Sequence, residues 1–193
     1  RPARAAESCA ADRTGKGFTG LGLEVGWPLG LSEGTDVSSE DPEWVARGRV
    51  LLESAVNLVR DVGGHYLGGV IFSKLGRYAA PVTERGRANS VETMAWLADK
   101  AAASDITLGL EFVNRYESNV LNTTGQTLAF LEEVDRDNVV AHLDVYPMNI
   151  EQGPFSGAVH AAPTAGRPGH VRLRAPPPGA LAPRRVPGRS VAP

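Results

Sequence analysis

Several polar side chains follow a short apolar run near the middle of the chain. The run, residues 106–110, ends at the carboxylate of Glu111, which is followed by the amide of Asn114, the guanidinium of Arg115 and the carboxylate of Glu117. A short, mostly apolar run is typical of a parallel strand that is covered on both faces. In parallel α/β folds the ligand binds at the carboxyl ends of the strands. The pattern therefore predicts that Glu111 lies where chemistry is done.

A second acid, Asp144, ends a similar apolar run, residues 139–143, and lies 33 residues after Glu111. A strand, a helix and their loops together take about 30 residues or more, so the two acids are expected to end neighbouring strands of one sheet. Two carboxylates placed in this way can share a hard divalent cation such as Mg²⁺ or Mn²⁺. The alternative for each acid taken singly is a helix cap or an ion pair with a nearby arginine.

Capping residues and apolar periodicity predict three helices around these acids. The first is capped by Ser39 and runs to about Asp61, before a pair of glycines. The second begins at Asn89, and the third begins at Thr123, with Gln126 at capping-box spacing.

Strands are predicted in the apolar runs at 21–25, 65–72, 106–111, 139–144 and 169–173, with a loop over 26–36 and a further helix over about 149–162. This alternation is the signature of a parallel α/β domain with right-handed crossovers. No Gly-rich phosphate-binding motif follows a strand, so the pattern gives no support to a nucleotide-binding sheet. A (β/α)8 barrel needs about 250 residues, and the roughly 150 patterned residues here are expected to supply about five of its eight units.

A long loop is predicted after the second strand, over residues 73–87. It carries Lys74, Arg77, Tyr78 and Arg85, and we expect it to form part of a substrate wall, because such loops often bind ligands. His65 lies at the amino end of the same strand. We therefore expect His65 to be solvated or to face a helix, away from the site.

The composition limits the kind of protein and its partners. The 193 residues carry 20 basic and 22 acidic side chains, which gives no electrostatic case for binding nucleic acid or an anionic membrane. Cys9 is the only cysteine, so no intramolecular disulfide is possible and a reducing compartment is expected. No apolar run reaches the ~18 residues of a membrane span, and no leader pattern opens the chain. We expect a single cytoplasmic domain, and Arg1 in place of Met is expected for a fragment of a longer reading frame.

The sequence changes character after Glu151. All 22 acidic residues lie at or before Glu151, whereas the segment 152–193 has six Arg, nine Pro and no Lys. From Pro163 onward the chain is almost wholly Ala, Arg, Gly, Pro and Val, which bury too little apolar area to offset the entropy of ordering. We predict a poorly ordered segment at 1–18, a folded domain at 19–162 and a disordered tail at 163–193. That tail is either an interaction segment or the product of a shifted reading frame.

Two stretches resemble one family of sugar enzymes. Residues 109–123, GLEFVNRYESNVLNT, and 143–151, LDVYPMNIE, are similar to the ketose 3-epimerases of the D-tagatose and D-psicose type, with support from DVSSED at 36–41. Those enzymes are xylose-isomerase-like TIM barrels of the sugar phosphate isomerase/epimerase superfamily. The resemblance covers about residues 29–169. It implies an incomplete, partial (β/α)8 TIM barrel of the α/β class.

The resemblance also implies a divalent cation, Mn²⁺, Co²⁺ or Mg²⁺, held at the strand ends by Glu, Asp, His and Glu. Glu111 matches the first ligand, which is also the catalytic residue that exchanges a proton at C3 of the sugar, and Asp144 matches the second. Glu117 matches a residue that contacts the sugar hydroxyls. The implied reaction is epimerisation of a free ketose at C3 through a cis-enediolate, with carboxylates on opposite faces of the sugar removing and returning the proton.

The chain departs from the family pattern at three points, which leaves its activity open. Pro147 stands where the family places a substrate-binding His. Arg172 stands where the family places a metal-binding His, and His170 lies two residues earlier, one alternation away. The second catalytic Glu has no counterpart in this sequence. A cation held by two carboxylates alone is expected to bind weakly. The alternatives are a non-catalytic remnant or binding module, and an enzyme of the hydroxypyruvate isomerase or inosose dehydratase type. The exposed edges of an open parallel sheet also predict that the chain is a homo-oligomer or poorly soluble.

Overall fold

Strands and helices alternate along the chain in the computed structural model, which describes residues 27–143 and 171–173. The elements are β1 (Trp27–Leu31), α1 (Pro42–Asp61), β2 (Tyr66–Lys74), α2 (Glu84–Ala102), β3 (Thr107–Glu111), α3 (Thr124–Val134), β4 (Val139–Leu143) and β5 (Val171–Leu173). The strands form one sheet in the order β1-β2-β3-β4-β5, and every neighbouring pair is parallel. The predicted α/β alternation is confirmed. All described strands therefore end at one side of the sheet, which we call the strand-end edge.

The predicted loop over 26–36 is wrong for Trp27–Leu31, which form β1. Residues 27–30 pair with residues 67–70 of β2. Pairing in the sheet outweighs the local turn signals, and Pro28 is tolerated because β1 has β2 as its one neighbour in the described sheet. The predicted strand at 21–25 and helix at 149–162 lie outside the described residues. Of the strand predicted at 169–173, only Val171–Leu173 is described, as β5.

Two helices begin at a capping residue other than the predicted one. Asp41, not Ser39, caps α1, and its carboxylate accepts from Glu43 N at 2.8 Å. Thr83, not Asn89, caps α2, and Thr83 Oγ1 accepts from Gly86 N at 3.0 Å. The loop between β2 and α2 is therefore residues 75–83, shorter than predicted. Asn89 lies inside α2 and donates to the Ser39 carbonyl oxygen at 2.8 Å.

The start of α3 and the end of α1 are as predicted. Thr123 caps α3, with Oγ1 accepting from Gln126 N at 3.2 Å, while Gln126 Oε1 accepts from Asn122 N at 2.8 Å. α1 ends at Asp61, and Gly63 follows with a φ of 72°, a left-handed conformation that glycine adopts without strain.

The strands and the apolar faces of the helices share one core. β2 is buried from Tyr66 to Ser73, as expected for a parallel strand that is covered on both faces. Helix residues in this core are Leu52, Val56 and Val59 of α1, Met94, Leu97, Ala98 and Ala101 of α2, and Leu128, Phe130, Leu131 and Val134 of α3. No described helix is both long and apolar enough to cross a membrane. The core fixes the strands, and with them the side chains at the strand-end edge.

Two helical glycines let the segment after β1 pack directly on the helices. A Cβ at Gly48 of α1 would overlap the carbonyl oxygen of Thr35, and a Cβ at Gly86 of α2 would overlap that of Ser38. Both glycines are buried. The loop between β1 and α1 is therefore seated against α1 and α2 by backbone contact.

We predict that Gly48→Ala destabilises the chain, whereas Gly125→Ala does not. A Cβ at Gly48 must displace backbone, and overpacking of this kind costs about 1–3 kcal/mol. At Gly125 of α3 a Cβ meets nothing within 4 Å, so alanine should leave the free energy of unfolding unchanged or raise it by up to about 1 kcal/mol. Urea unfolding followed by circular dichroism measures both variants. Equal effects of the two substitutions would contradict the packing described here.

Candidate active site

Glu111 is the last residue of β3 and lies at the strand-end edge, as the sequence predicts. Its register partner on β4 is His142, and the preceding pairs are Gly109 with Val140 and Leu110 with Ala141. Glu111 and His142 are both half-buried. Because residues that pair in adjacent strands project to the same face, the imidazole and the carboxylate are neighbours.

Asp144 follows Leu143, the last described residue of β4, and lies outside the described residues. That Glu111 and Asp144 share a cation therefore stays a prediction. Pro147 and His170 also lie outside the described residues, so what the sequence predicts for them stays a prediction as well. Arg172 is part of β5, where its register partner is His142.

A tyrosine on the second strand reaches the histidine on the fourth. A hydrogen bond of 2.9 Å joins Tyr66 Oη to His142 Nδ1. Gly68 and Gly109 leave the space for it, since a Cβ at Gly109 would overlap the phenol oxygen and one at Gly68 would lie 2.7 Å from Tyr66 Cε1. Sequence reasoning missed this contact, although small residues opposite an aromatic one on neighbouring strands are a signal that could have pointed to it.

The loop after β3 is ordered by its own asparagines. Asn114 is buried, donates from Nδ2 to the Glu117 carboxylate and accepts from Tyr116 N at 3.0 Å through Oδ1. Asn122 donates to the carbonyl oxygens of Val113 at 2.8 Å and of Ser118 at 2.9 Å. The loop thus presents the half-buried Glu117 side chain from a hydrogen-bonded turn.

That loop is also tied to the loop after β2. Gly76 N donates to the Glu117 carbonyl oxygen at 2.8 Å, and Asn119 Nδ2 donates to the Ala80 carbonyl oxygen at 2.9 Å. A hydrogen bond of 2.9 Å joins the hydroxyls of Ser73 and Ser118, both buried. The backbone that carries Glu117 is therefore fixed from two sides.

Asp36 connects the loop after β1 to the same neighbourhood. The side chain is 3% exposed, and Oδ1 accepts from Ser38 N at 2.9 Å, Ser38 Oγ at 2.7 Å and Lys74 N at 3.1 Å. Its Oδ2 accepts from the Tyr78 hydroxyl at 2.6 Å. Burial, followed by the hydrogen bond to Asp36, raises the pKa of Tyr78 well above its ordinary value. Asp36 therefore holds the loops after β1 and β2 together at the strand-end edge.

The other residues predicted for the wall and its surroundings are placed as follows. Lys74 ends β2, and its Nζ lies 4.7 Å from the centroid of the Tyr78 ring. Arg77 is exposed in the loop, whereas Arg85 is exposed on the first turn of α2 and not in the loop. His65 is exposed before β2, with Nδ1 3.3 Å from the Asp105 carbonyl oxygen, so its predicted place away from Glu111 is confirmed.

A family model for the xylose isomerase-like TIM barrel matches residues 5–188. The chain belongs to the xylose isomerase-like TIM barrel family. The five described parallel strands agree with this family as part of its barrel, which confirms the fold class expected from the sequence.

Two similar proteins and one similar solved structure are epimerases. The chain is 48% identical over 145 residues to the L-ribulose 3-epimerase of Methylomonas sp. strain DH-1, which covers 75% of this chain and 50% of the relative. It is 45% identical over 150 residues to the ketose 3-epimerase of Arthrobacter globiformis, covering 78% and 52%. The crystal structure of a D-allulose 3-epimerase from Methylomonas sp. in complex with D-allulose superposes with a TM-score of 0.74 at 45% identity, covering 80% of this chain and 53% of that one. The chain spans about half the length of these relatives.

The donor groups at the strand-end edge decide whether a resident cation fits this site. Glu111 offers carboxylate oxygens, which suit a hard divalent cation. Within residues 27–143, however, no three acidic, His or Cys side chains are grouped to hold a metal. The described residues alone therefore do not complete a metal site.

We predict that Tyr78→Phe lowers the free energy of unfolding by about 1–3 kcal/mol, because the buried Asp36 carboxylate loses a donor. The substitution should also change the alkaline limit of stability. In the folded chain the raised pKa keeps Tyr78 protonated at a pH where the unfolded chain loses that proton, above about pH 10. The stability that this proton contributes is complete below that pH and is lost as the pH rises.

Chemical unfolding between pH 8 and pH 11 measures both effects of Tyr78→Phe. The wild-type free energy of unfolding should fall more steeply above about pH 10 than that of the variant. Parallel curves for the two chains would show that Tyr78 makes no contribution to the alkaline loss.

We predict that Asn114→Asp destabilises the loop after β3. The change replaces the amide that donates to Glu117 with a carboxylate, so two carboxylates face each other in a buried position. A lost hydrogen bond to a charged group costs about 1–3 kcal/mol. Asn57→Asp is the matched control, because Arg60 donates to Asn57 Oδ1 at 3.0 Å and a carboxylate can replace that acceptor. Thermal unfolding compares the two, and a control as unstable as Asn114→Asp would contradict the assignment.

Proposed function

We propose that this chain is part of a ketose 3-epimerase and that Glu111 exchanges the proton at C3 of a free ketose. The observation that supports the proposal most directly is the place of Glu111, at the carboxyl end of a strand in a TIM-barrel sheet. Ligands of this fold bind at that end. The identities of 45–48% to the ketose and L-ribulose 3-epimerases support the same reaction.

In this proposal the Glu111 carboxylate acts as general base. The C3 proton of a ketose lies next to the C2 carbonyl, so its removal gives an enediolate of the sugar and leaves Glu111 protonated. Epimerisation requires that a proton returns to the opposite face of C3, from a second acid. In this proposal the segment 27–143 supplies Glu111, and the family resemblance matches no residue of the chain to the second acid.

Glu117 is proposed to bind the sugar hydroxyls. Its carboxylate accepts from Asn114, and its carbonyl oxygen accepts from Gly76 at 2.8 Å. These contacts fix the backbone and one carboxylate oxygen, while the half-buried side chain retains access to a ligand. A carboxylate that accepts from neighbouring hydroxyls orients a sugar without reacting with it.

A divalent cation, Mn²⁺, Co²⁺ or Mg²⁺, is proposed to bind weakly between Glu111 and Asp144. When bound, such a cation would stabilise the negative charge that develops on the sugar as its proton is removed. The support is the chemistry of the two acids and their expected positions at neighbouring strand ends.

The proposal predicts a partial reaction that one base can complete. Glu111 removes the C3 proton, the resulting carboxylic acid exchanges with solvent, and the proton returns to the same face. In D₂O containing Mn²⁺ we therefore expect deuterium to enter C3 of the ketose with retention of configuration, whether or not the epimer forms. Glu111→Gln should lower the exchange rate about 100-fold or more, because general acid–base catalysis contributes that much. Glu132→Gln, an exposed acid on α3, is the matched control.

Proton NMR of D-fructose, D-allulose and L-ribulose, each incubated with the chain, measures this exchange. Exchange by the wild type and by Glu132→Gln, but not by Glu111→Gln, is the expected result. No exchange in any ketose would contradict the proposed function, and exchange in hydroxypyruvate alone would assign the chain to a different isomerase type.

A further inference from the structure

The contact between Tyr66 and His142 spans three strands of the sheet. Tyr66 lies on β2 and is 7% exposed, and His142 lies on β4, with β3 between them. The phenol oxygen is 2.9 Å from His142 Nδ1, and the two rings are tilted at 49° with centroids 5.9 Å apart. The tyrosine side chain therefore lies across the face of β3, the strand that ends at Glu111.

This crossing is possible because the residue beneath the phenol is glycine. Gly68 of β2 pairs with Gly109 of β3. A Cβ at Gly109 would overlap both Oη and Cζ of Tyr66, and a Cβ at Gly68 would lie 3.0 Å from His142 Nδ1. Any side chain at Gly109 would displace the phenol from His142.

His142 is the register partner of Glu111, on a strand that lies about 4.7–4.9 Å away. Gly109 and Glu111 are two residues apart and so lie on the same face of β3 as the phenol. A histidine ring has several rotamers and, when neutral, two tautomers. The hydrogen bond at Nδ1 fixes how the ring is turned, and the phenol can either donate to that nitrogen or accept its proton. The bond from Tyr66 therefore sets which ring atom His142 turns towards the space beside Glu111.

We propose that Tyr66 is a positioning residue for proton exchange by Glu111, because it holds His142 in one rotamer and one tautomer beside that carboxylate. The catalytic consequence rests on the proposed function. The positioning of His142 is a property of the folded chain and can be measured without turnover.

Tyr66→Phe removes the hydroxyl and keeps the ring, so it tests the contact without opening a cavity. Nitrogen NMR of the imidazole at pH 8 reports the tautomer, and His142→Gln identifies the His142 signals among the four histidines. We expect two well-separated ring-nitrogen shifts in the wild type and averaged shifts in Tyr66→Phe. Tyr78→Phe removes another hydrogen-bonded phenol hydroxyl and should leave the His142 shifts as in the wild type.

The kinetic test uses the deuterium exchange at C3 of the ketose. Tyr66→Phe should lower the maximal exchange rate about tenfold to 100-fold, because a misplacement of ~1 Å can cost up to about 100-fold in rate. The ketose concentration that gives half of the maximal rate should not change. Tyr116→Phe, with a side chain that is 66% exposed, controls for loss of a phenol hydroxyl and should exchange like the wild type.

The outcomes separate this inference from the proposed function. Unchanged His142 shifts in Tyr66→Phe would overturn the inference, whatever the activity. Altered shifts with a wild-type exchange rate would overturn it as well, and so would a change confined to the half-saturating concentration. No exchange by the wild type would overturn the proposed function and with it the catalytic part of the inference, whereas the His142 shifts would still decide whether Tyr66 positions His142.

Discussion

The parallel register of β2, β3 and β4 determines what surrounds Glu111. Gly68 pairs with Gly109 and Glu111 pairs with His142, so a single alignment creates both the space for Tyr66 and the contact it makes. A slip of one residue would turn Glu111 to the other face of the sheet and replace Gly109 with a leucine beneath the phenol. The acid, the imidazole and the phenol therefore depend on one set of backbone hydrogen bonds, which the buried helices and strands hold in place.

Buried polar groups hold the loops in place, as apolar packing holds the sheet. A carboxylate as buried as Asp36 is costly to remove from water unless donors surround it. The backbone and hydroxyl donors around Asp36 come from Ser38, Lys74 and Tyr78, which belong to three places along the chain. Asn114, Ser118 and Asn122 act in the same way in the loop after β3. Because each of these bonds is local in space and satisfied, the loops are held in defined positions without a large apolar core of their own.

The sequence was most informative where one strong local signal decides the structure. The apolar run before Glu111 predicts β3, and the Thr123 and Gln126 pair predicts the start of α3, because a run of buried residues and a capping box have few competing readings. The predictions failed where two local signals compete over a short distance. Ser39 and Asp41 are both capping residues, and Asp41 is chosen because it directly precedes Pro42. The turn signals of Pro28 and Gly30 concealed β1, which exists because β2 pairs with it. The contact of Tyr66 with His142 joins residues 76 positions apart and cannot be read from either segment before the strand register is known.

The order of strands in the sheet is the same as their order along the chain. Each described strand pairs with the strand that follows it a few tens of residues later, so no described pairing joins distant parts of the chain. Parallel pairings of this kind are non-local contacts, and the loop between the two strands must close before they form, so they form slowly compared with the contacts within a helix. The pairing of β1 with β2 needs only the segment that contains α1, so it does not require β4. The register around Glu111 can therefore form by adding one strand at a time to the edge of the sheet.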